Sequence, residues 1–136
     1  MYLTDVCGYN KYVAAGILGN MMVEVGGSTL DLQYWLYSYG NGYYYGICQW
    51  GKKTYPGVRG TDLITQCDFL KQTIKEEFDT FGYAYSKGFN YDKFLNLQNV
   101  EAAAKAFAVC YERCGSSTYD FRQSCALTAY RYFEGS

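Results

Sequence analysis

The sequence predicts an α+β domain that is predominantly α-helical, with one small β-hairpin after the first long helix. Three observations lead there. Apolar residues recur at helical spacing over residues 10 to 25, 61 to 78, 99 to 114 and 117 to 133. After the first of these runs comes an aromatic stretch, "QYWLYSYGNGYYYGICQW", broken at Asn41-Gly42, the dipeptide that a two-residue type I′ turn favours. The chain has 136 residues and neither repeats nor low-complexity tracts, so residues 1–136 are expected to form a single domain around one core.

In chain order, the first long helix is expected in "NKYVAAGILGNMMVEV". Asn10 supplies its N-cap, Val13, Ala14, Ile17, Leu18, Met21, Met22 and Val25 its apolar face, and Gly26 and Gly27 its end. Residues 28 to 33 admit two readings, because Leu30 and Leu32 alternate as in a strand yet could open a helical turn. The hairpin is expected over about residues 34 to 48, and "GKKTYPGVRG", with the only proline, reads as a loop. Thr61 or Asp62 then caps a helix carrying Leu63, Ile64, Cys67, Leu70, Ile74 and Phe78. "FGYAYSKGFN" reads as a linker and "YDKFLNL" as a short helix. Asn99 caps "VEAAAKAFAVCYERC", with Val100, Ala103, Ala104, Phe107 and Tyr111 along one side and Gly115 as the stop. A last helix runs from about Ser117 to Phe133 and includes Phe121, Cys125, Leu127 and Tyr130.

Composition removes several function classes. With 49% hydrophobic and 18% charged residues the chain is soluble and globular in type, and no apolar run reaches the length of a membrane span. A net charge of −1 leaves no basic excess to displace counterions from phosphates, so nucleic acid is not an expected partner. There is no histidine, which excludes a His-based triad and histidine metal ligation and leaves acid-base work to carboxylates, lysines, tyrosines or cysteines. The cysteines are Cys7, Cys48, Cys67, Cys110, Cys114 and Cys125. Buried free thiols lead, and one or two disulfides compete. Cys110 and Cys114 share a helix face, but no second pair completes a zinc site, so no metal and no other cofactor is expected. A thiol enzyme would lack its histidine partner. The 17 tyrosines suit either core edges or a surface that grips sugar rings, since each joins an apolar face to a polar tip.

Glu24 stands out. It follows Ile17 by seven residues and Met21 by three, which sets it on or beside the apolar stripe, and it lies in the last helical turn. Apolar surroundings and the negative end of the helix dipole both disfavour an anion there, which suits a carboxyl that must hold a proton and donate it. The plainer alternative is a solvated glutamate reaching off a helix end. The next acidic residue is Asp31, seven positions on, which either positions an attacking water across a groove or caps the segment starting "LQYW".

The order "GILGNMMVEVGG", then "YYYGICQWG", then "AFAVCYERCG" resembles the lysozyme-like superfamily. The closest resemblance is to the phage tail lysozyme domain, a relative of goose-type lysozymes and lytic transglycosylases. It spans about Tyr12 to Tyr130. It implies a lysozyme-like fold and a muramidase-type glycoside hydrolase that cleaves peptidoglycan between amino sugars, with Glu24 as general acid. The helix end and the hairpin become opposite walls of a groove. Gly46 admits close approach of a sugar, Gln49 bonds an N-acetyl or hydroxyl group, and Tyr44, Tyr45 and Trp50 either pack on sugar faces or belong to the core. Tyr111 either lines the groove or, with Glu112 and Arg113, supports the fold. Two departures stand out. Val25 follows Glu24 where the family commonly has serine, and after Gln49-Trp50 come Lys52, Lys53 and only later Arg59 where an early arginine is usual.

The resemblance also implies peptidoglycan as partner, phage tail proteins as neighbours and a monomeric domain. Met1 opens "MYLTDVCGYNK" without a signal-peptide pattern, so the expected route is cytoplasmic synthesis, carriage on the virion tail and delivery to the host cell-wall space, as in a tail-borne endolysin. A lytic transglycosylase with the same Glu24, or a catalytically silent wall-binding or tail-structural module, would share these features.

Overall fold

The computed structural model describes residues 2–5, 7–24, 39–40, 44–45, 50–51, 63–80 and 82–134. The helices are α1 (Tyr2–Asp5), α2 (Lys11–Glu24), α3 (Leu63–Asp79), α4 (Tyr83–Ser86), α5 (Tyr91–Leu95), α6 (Val100–Phe107) and α7 (Tyr119–Glu134). A π turn, Ala108–Glu112, extends α6, and a 3-10 turn, Ser116–Thr118, leads into α7.

Local chemistry starts α2, and tertiary contact fixes its place. Asn10 Oδ1 accepts from the Val13 N–H at 2.9 Å, the expected N-cap, while its Nδ2 donates to the carbonyls of Leu95, the last residue of α5, and Leu97, two residues beyond it. From Val13 to Met22 every residue of α2 is buried, so the helix has no solvent face over these ten positions and forms the axis of the domain. Two glycines make that possible. A Cβ at Gly16 would lie 2.7 Å from the Ala104 nitrogen of α6, and one at Gly19 would lie 2.6 Å from Ala126 Cα of α7. Backbone therefore meets backbone on two sides of α2, with Ala103, Ala104 and Ala126 as the equally small partners.

The other helices close the core. Cys67, Leu70, Ile74 and Phe78 of α3 are buried at the expected spacing. Phe78 stacks on Phe94 of α5 with ring centroids 4.5 Å apart, and Phe94 lies against Phe107 of α6 at 6.2 Å. Much of the aromatic content thus serves the interior. Asn99 Oδ1 caps α6 by accepting from the Ala102 N–H at 2.8 Å, and Asn90 caps α5 through Lys93 N–H at 2.8 Å. The stretch expected as a linker contains α4, whose Ala84 is fully buried.

The α+β expectation is corrected: the domain is all-α. Extended structure among the described residues is limited to the two-residue segments Tyr39–Gly40, Tyr44–Tyr45 and Trp50–Gly51, paired antiparallel with Tyr39 opposite Tyr45 and Tyr45 opposite Trp50. Ladders this short offer no sheet face to bury, and the described core is formed by helices and the loops between them. The remainder of the span expected as hairpin, the Gly26-Gly27 stop, residues 28 to 33, the "GKKTYPGVRG" loop except Gly51, and the Thr61 or Asp62 cap lie outside the described residues.

One helix end also differs from expectation. The run through Cys110 widens into the π turn, and Arg113, not Gly115, takes the left-handed backbone at φ 52°. The Ala108 carbonyl accepts the N–H groups of both Arg113 and Cys114, so Cys114 sits past the helix end and shares no helix face with Cys110. In α7 the buried stripe is Arg122, Cys125, Ala126 and Ala129, while Phe121 is 51% exposed.

The close helix crossings can be checked by denaturation. Gly19→Ala should lower stability by about 1–3 kcal/mol, the usual cost of overpacking a tight interface. Gly115→Ala, where a Cβ would find nothing within 4 Å, should leave the urea midpoint nearly unchanged. Equal midpoints for the two variants would mean that α2 and α7 can part without cost.

Candidate active site

Glu24 is the last residue of α2, and its side chain is 20% exposed. One turn earlier on the same face is Asn20, which is fully buried. Opposite both stands Arg122, in the first turn of α7, with only 5% of its side chain exposed. The guanidinium is shared among three oxygens: Nη2 donates to Glu24 Oε1 at 2.7 Å, Nη1 to Asn20 Oδ1 at 2.9 Å, and Nε to Thr118 Oγ1 at 2.9 Å. Each nitrogen of the fork has its own acceptor.

The orientation of the Asn20 amide is set by its other contacts. Its Nδ2 donates to the Gly16 carbonyl at 2.9 Å and to the Ala104 carbonyl at 3.0 Å, so only Oδ1 is left to face Arg122. A single buried side chain thereby ties α2, α6 and α7 together at the base of the site. Burying a guanidinium costs several kcal/mol, and the negative charge of Glu24 with two neutral acceptors offsets that cost. From sequence, only apolar neighbours and the helix terminus surround Glu24. The fold adds a buried cation 2.7 Å away.

Asp31, Gly46 and Gln49 lie outside the described residues. Tyr44, Tyr45 and Trp50 fall in the short paired segments, which set Tyr45 opposite Trp50 and Tyr44 opposite Gly51 in the backbone ladder. Tyr111, in the π turn, is half-buried; its hydroxyl lies 2.6 Å from Thr73 Oγ1 of α3 and its ring stacks on Phe107 at 4.7 Å. Arg113 pairs with Glu77 of α3 at 2.6 Å and lies 4.5 Å over the Tyr83 ring. Burial raises the Glu77 carboxyl above its ordinary range against the opposing pull of Arg113. These contacts tie the late-helix triplet to α3 and α4.

Arg122 and Asn20 were not among the residues singled out from sequence. The signal for Arg122 is its spacing, three before Cys125, four before Ala126 and seven before Ala129, on the stripe that the fold buries. For Asn20 the signal is a polar residue inside a wholly apolar run, four before Glu24.

Cys7, Cys67, Cys110, Cys114 and Cys125 are all free thiols. Desolvation pushes Cys67 up to about 12 and Cys110 up to about 11. Thiols so buried and so reluctant to ionise are poor nucleophiles, which removes support from a cysteine mechanism at these positions. Among the described residues, no group of three or more Cys, Asp or Glu side chains is placed to hold a metal ion.

The sequence profile of phage tail lysozymes matches residues 1–133. The chain belongs to the phage tail lysozyme family. Neither a curated protein nor a solved structure matches it. Membership brings a lysozyme-like, peptidoglycan-degrading role and the setting of a phage tail. Among the described residues of this phage tail lysozyme, no helix is long and apolar enough to cross a membrane.

The buried thiols give a pH dependence with a definite sign. An unfolded thiol ionises near 9.0, whereas folded Cys67 holds its proton to about 12 and folded Cys110 to about 11. Their contribution to stability is therefore complete below pH 9 and is lost as pH rises through the window from 9 to 12. Urea midpoints at pH 8 and pH 10.5 should show a fall that is smaller in Cys67→Ala than in the native chain. Equal falls would mean that Cys67 is not shielded from water in the folded state.

Proposed function

We propose that the chain is a muramidase-type glycoside hydrolase, a single lysozyme-like catalytic domain over residues 1–136, with Glu24 as its general acid. What carries the proposal is the placement of Glu24 at the end of the buried axial helix, partly exposed, with one oxygen anchored by Arg122. Arg122 holds the carboxyl by Oε1, and the proton transfer is assigned to the other oxygen, Oε2. Family membership supplies the substrate class, the peptidoglycan of a bacterial wall.

In the proposed reaction the Glu24 carboxyl gives its proton to the glycosidic oxygen. The bond from the anomeric carbon to that oxygen breaks, the electron pair leaves with the departing sugar, and an oxocarbenium-like ring remains. Water attacks the anomeric carbon and loses a proton to a second carboxylate, for which Asp31 is the candidate. An inverting enzyme sets its two carboxyls about 6.5–9.5 Å apart, room enough for that water. Gly46, Gln49, Tyr44, Tyr45 and Trp50 are the proposed opposite wall of the groove, and Tyr111 is given a supporting role. The domain is proposed to work as a monomer, carried on the virion tail to the wall.

Two substitutions test the assignment. Glu24→Gln keeps an oxygen for Arg122 but has no acidic proton to give, so a folded variant should lose at least about 10²- to 10⁴-fold in clearing purified cell walls. Near-normal turnover by that folded variant would end the proposal and leave a wall-binding or tail-structural module. Asp31→Asn should depress turnover strongly while short glycans bind nearly as before. Unaltered turnover, or products ending in anhydro sugars by mass spectrometry, would instead leave Glu24 acting alone and make the protein a lytic transglycosylase.

A further inference from the structure

We propose that Arg122 is a positioning residue for catalysis, acting through Glu24; this rests on Glu24 being the general acid. Arg122 is committed to internal contacts. Its guanidinium is almost wholly buried and each of its three nitrogens already has an acceptor, so it is not placed as a surface anion site. What it does hold is one edge of the Glu24 carboxyl.

That grip decides which oxygen carries the proton. Oε1 accepts the Arg122 N–H at 2.7 Å, and a proton placed on that same oxygen would weaken the charge-assisted bond, so the acidic hydrogen resides on Oε2. Arg122 therefore fixes the rotamer of the acid and selects the edge from which the proton leaves. The fork is itself immobilised at two further points. Thr118 holds Nε from the turn that opens α7, and Asn20, locked by the Gly16 and Ala104 carbonyls, holds Nη1 from α2. The chain of contacts runs from the α6 backbone through Asn20 and Arg122 to the reacting carboxyl. An acid held in this way needs no reorganisation when substrate arrives, and a displacement of about 1 Å can cost roughly 10²-fold in rate.

Lysine cannot reproduce the fork. Its single ammonium can keep the charge and reach one or two of the three acceptors, but it cannot orient the carboxyl from a fixed plane. The test compares kcat and KM for native, Arg122→Lys, Thr118→Val and Glu24→Gln chains on soluble glycan strands, with folding checked by far-UV circular dichroism and thermal melting. Arg122→Lys should lower kcat by about 10- to 100-fold with KM within about twofold, because the misplaced group is the acid and not a substrate contact. Thr118→Val, which loosens the guanidinium without altering any charge, should lower kcat severalfold, again with KM unmoved, and it carries the test if Arg122→Lys does not fold. A folded Arg122→Lys or, failing that, a folded Thr118→Val with native kcat overturns the proposal, as does a loss confined to KM. If Glu24→Gln is inactive while these variants turn over normally, only the positioning role fails. If Glu24→Gln itself is active, the general-acid assignment fails and takes the positioning role with it.

Discussion

A guanidinium removed from water must find acceptors for its N–H groups, and in this protein that requirement organises the middle of the fold. Arg122 reaches Glu24 and Asn20 only because α7 lies close against α2, and it lies close because Gly19 has no side chain where Ala126 passes. Asn20 in turn reaches the Ala104 carbonyl only because Gly16 lets α6 come equally near on the other side. Small residues set the spacing, and the polar groups then find partners at that spacing. Packing and chemistry are therefore not separable here: the contact that lets the helices meet is the contact that aims the carboxyl.

Local signals read well from sequence. Asn10 and Asn99 both cap the helices they precede, since a cap depends on one side chain and an N–H three residues on. Cys67, Leu70, Ile74 and Phe78 lie inside as their spacing requires. Glu24 at the end of α2 was legible for the same reason. The strand class was not. Asn41-Gly42 amid aromatics is a strong short-range signal, but a local turn preference says nothing about how far pairing extends or whether a sheet face is buried.

The fork around Glu24 was illegible for a different reason. Arg122 lies 98 positions from Glu24 and 102 from Asn20, and a charged residue beside Phe121 is ordinarily assigned to solvent, with the phenylalanine inside. The fold reverses the two, leaving Phe121 half exposed and Arg122 buried, because only acceptors presented by a distant helix can compensate an interior charge. Pattern alone cannot supply those acceptors. Likewise Gly115 looked like the helix stop by residue type, yet Arg113 takes the left-handed position, held by Glu77 and the Tyr83 ring from elements far away in sequence.

The π turn after α6 makes the chain's length count there as much as its side chains. A π turn is in effect one residue more than an α-helical path needs, absorbed by hydrogen bonds that reach back five positions instead of four. Removing one of the residues before Tyr111, from Ala108 to Cys110, would let the helix close regularly, and every later side chain would swing by about 100° around the axis. Tyr111 would turn away from Thr73, and Arg113 from Glu77, even with each residue type intact. Relatives that keep the tyrosine-glutamate-arginine triplet but lack one residue before it should therefore be aligned by geometry and not by letter, because identical residues would face different neighbours.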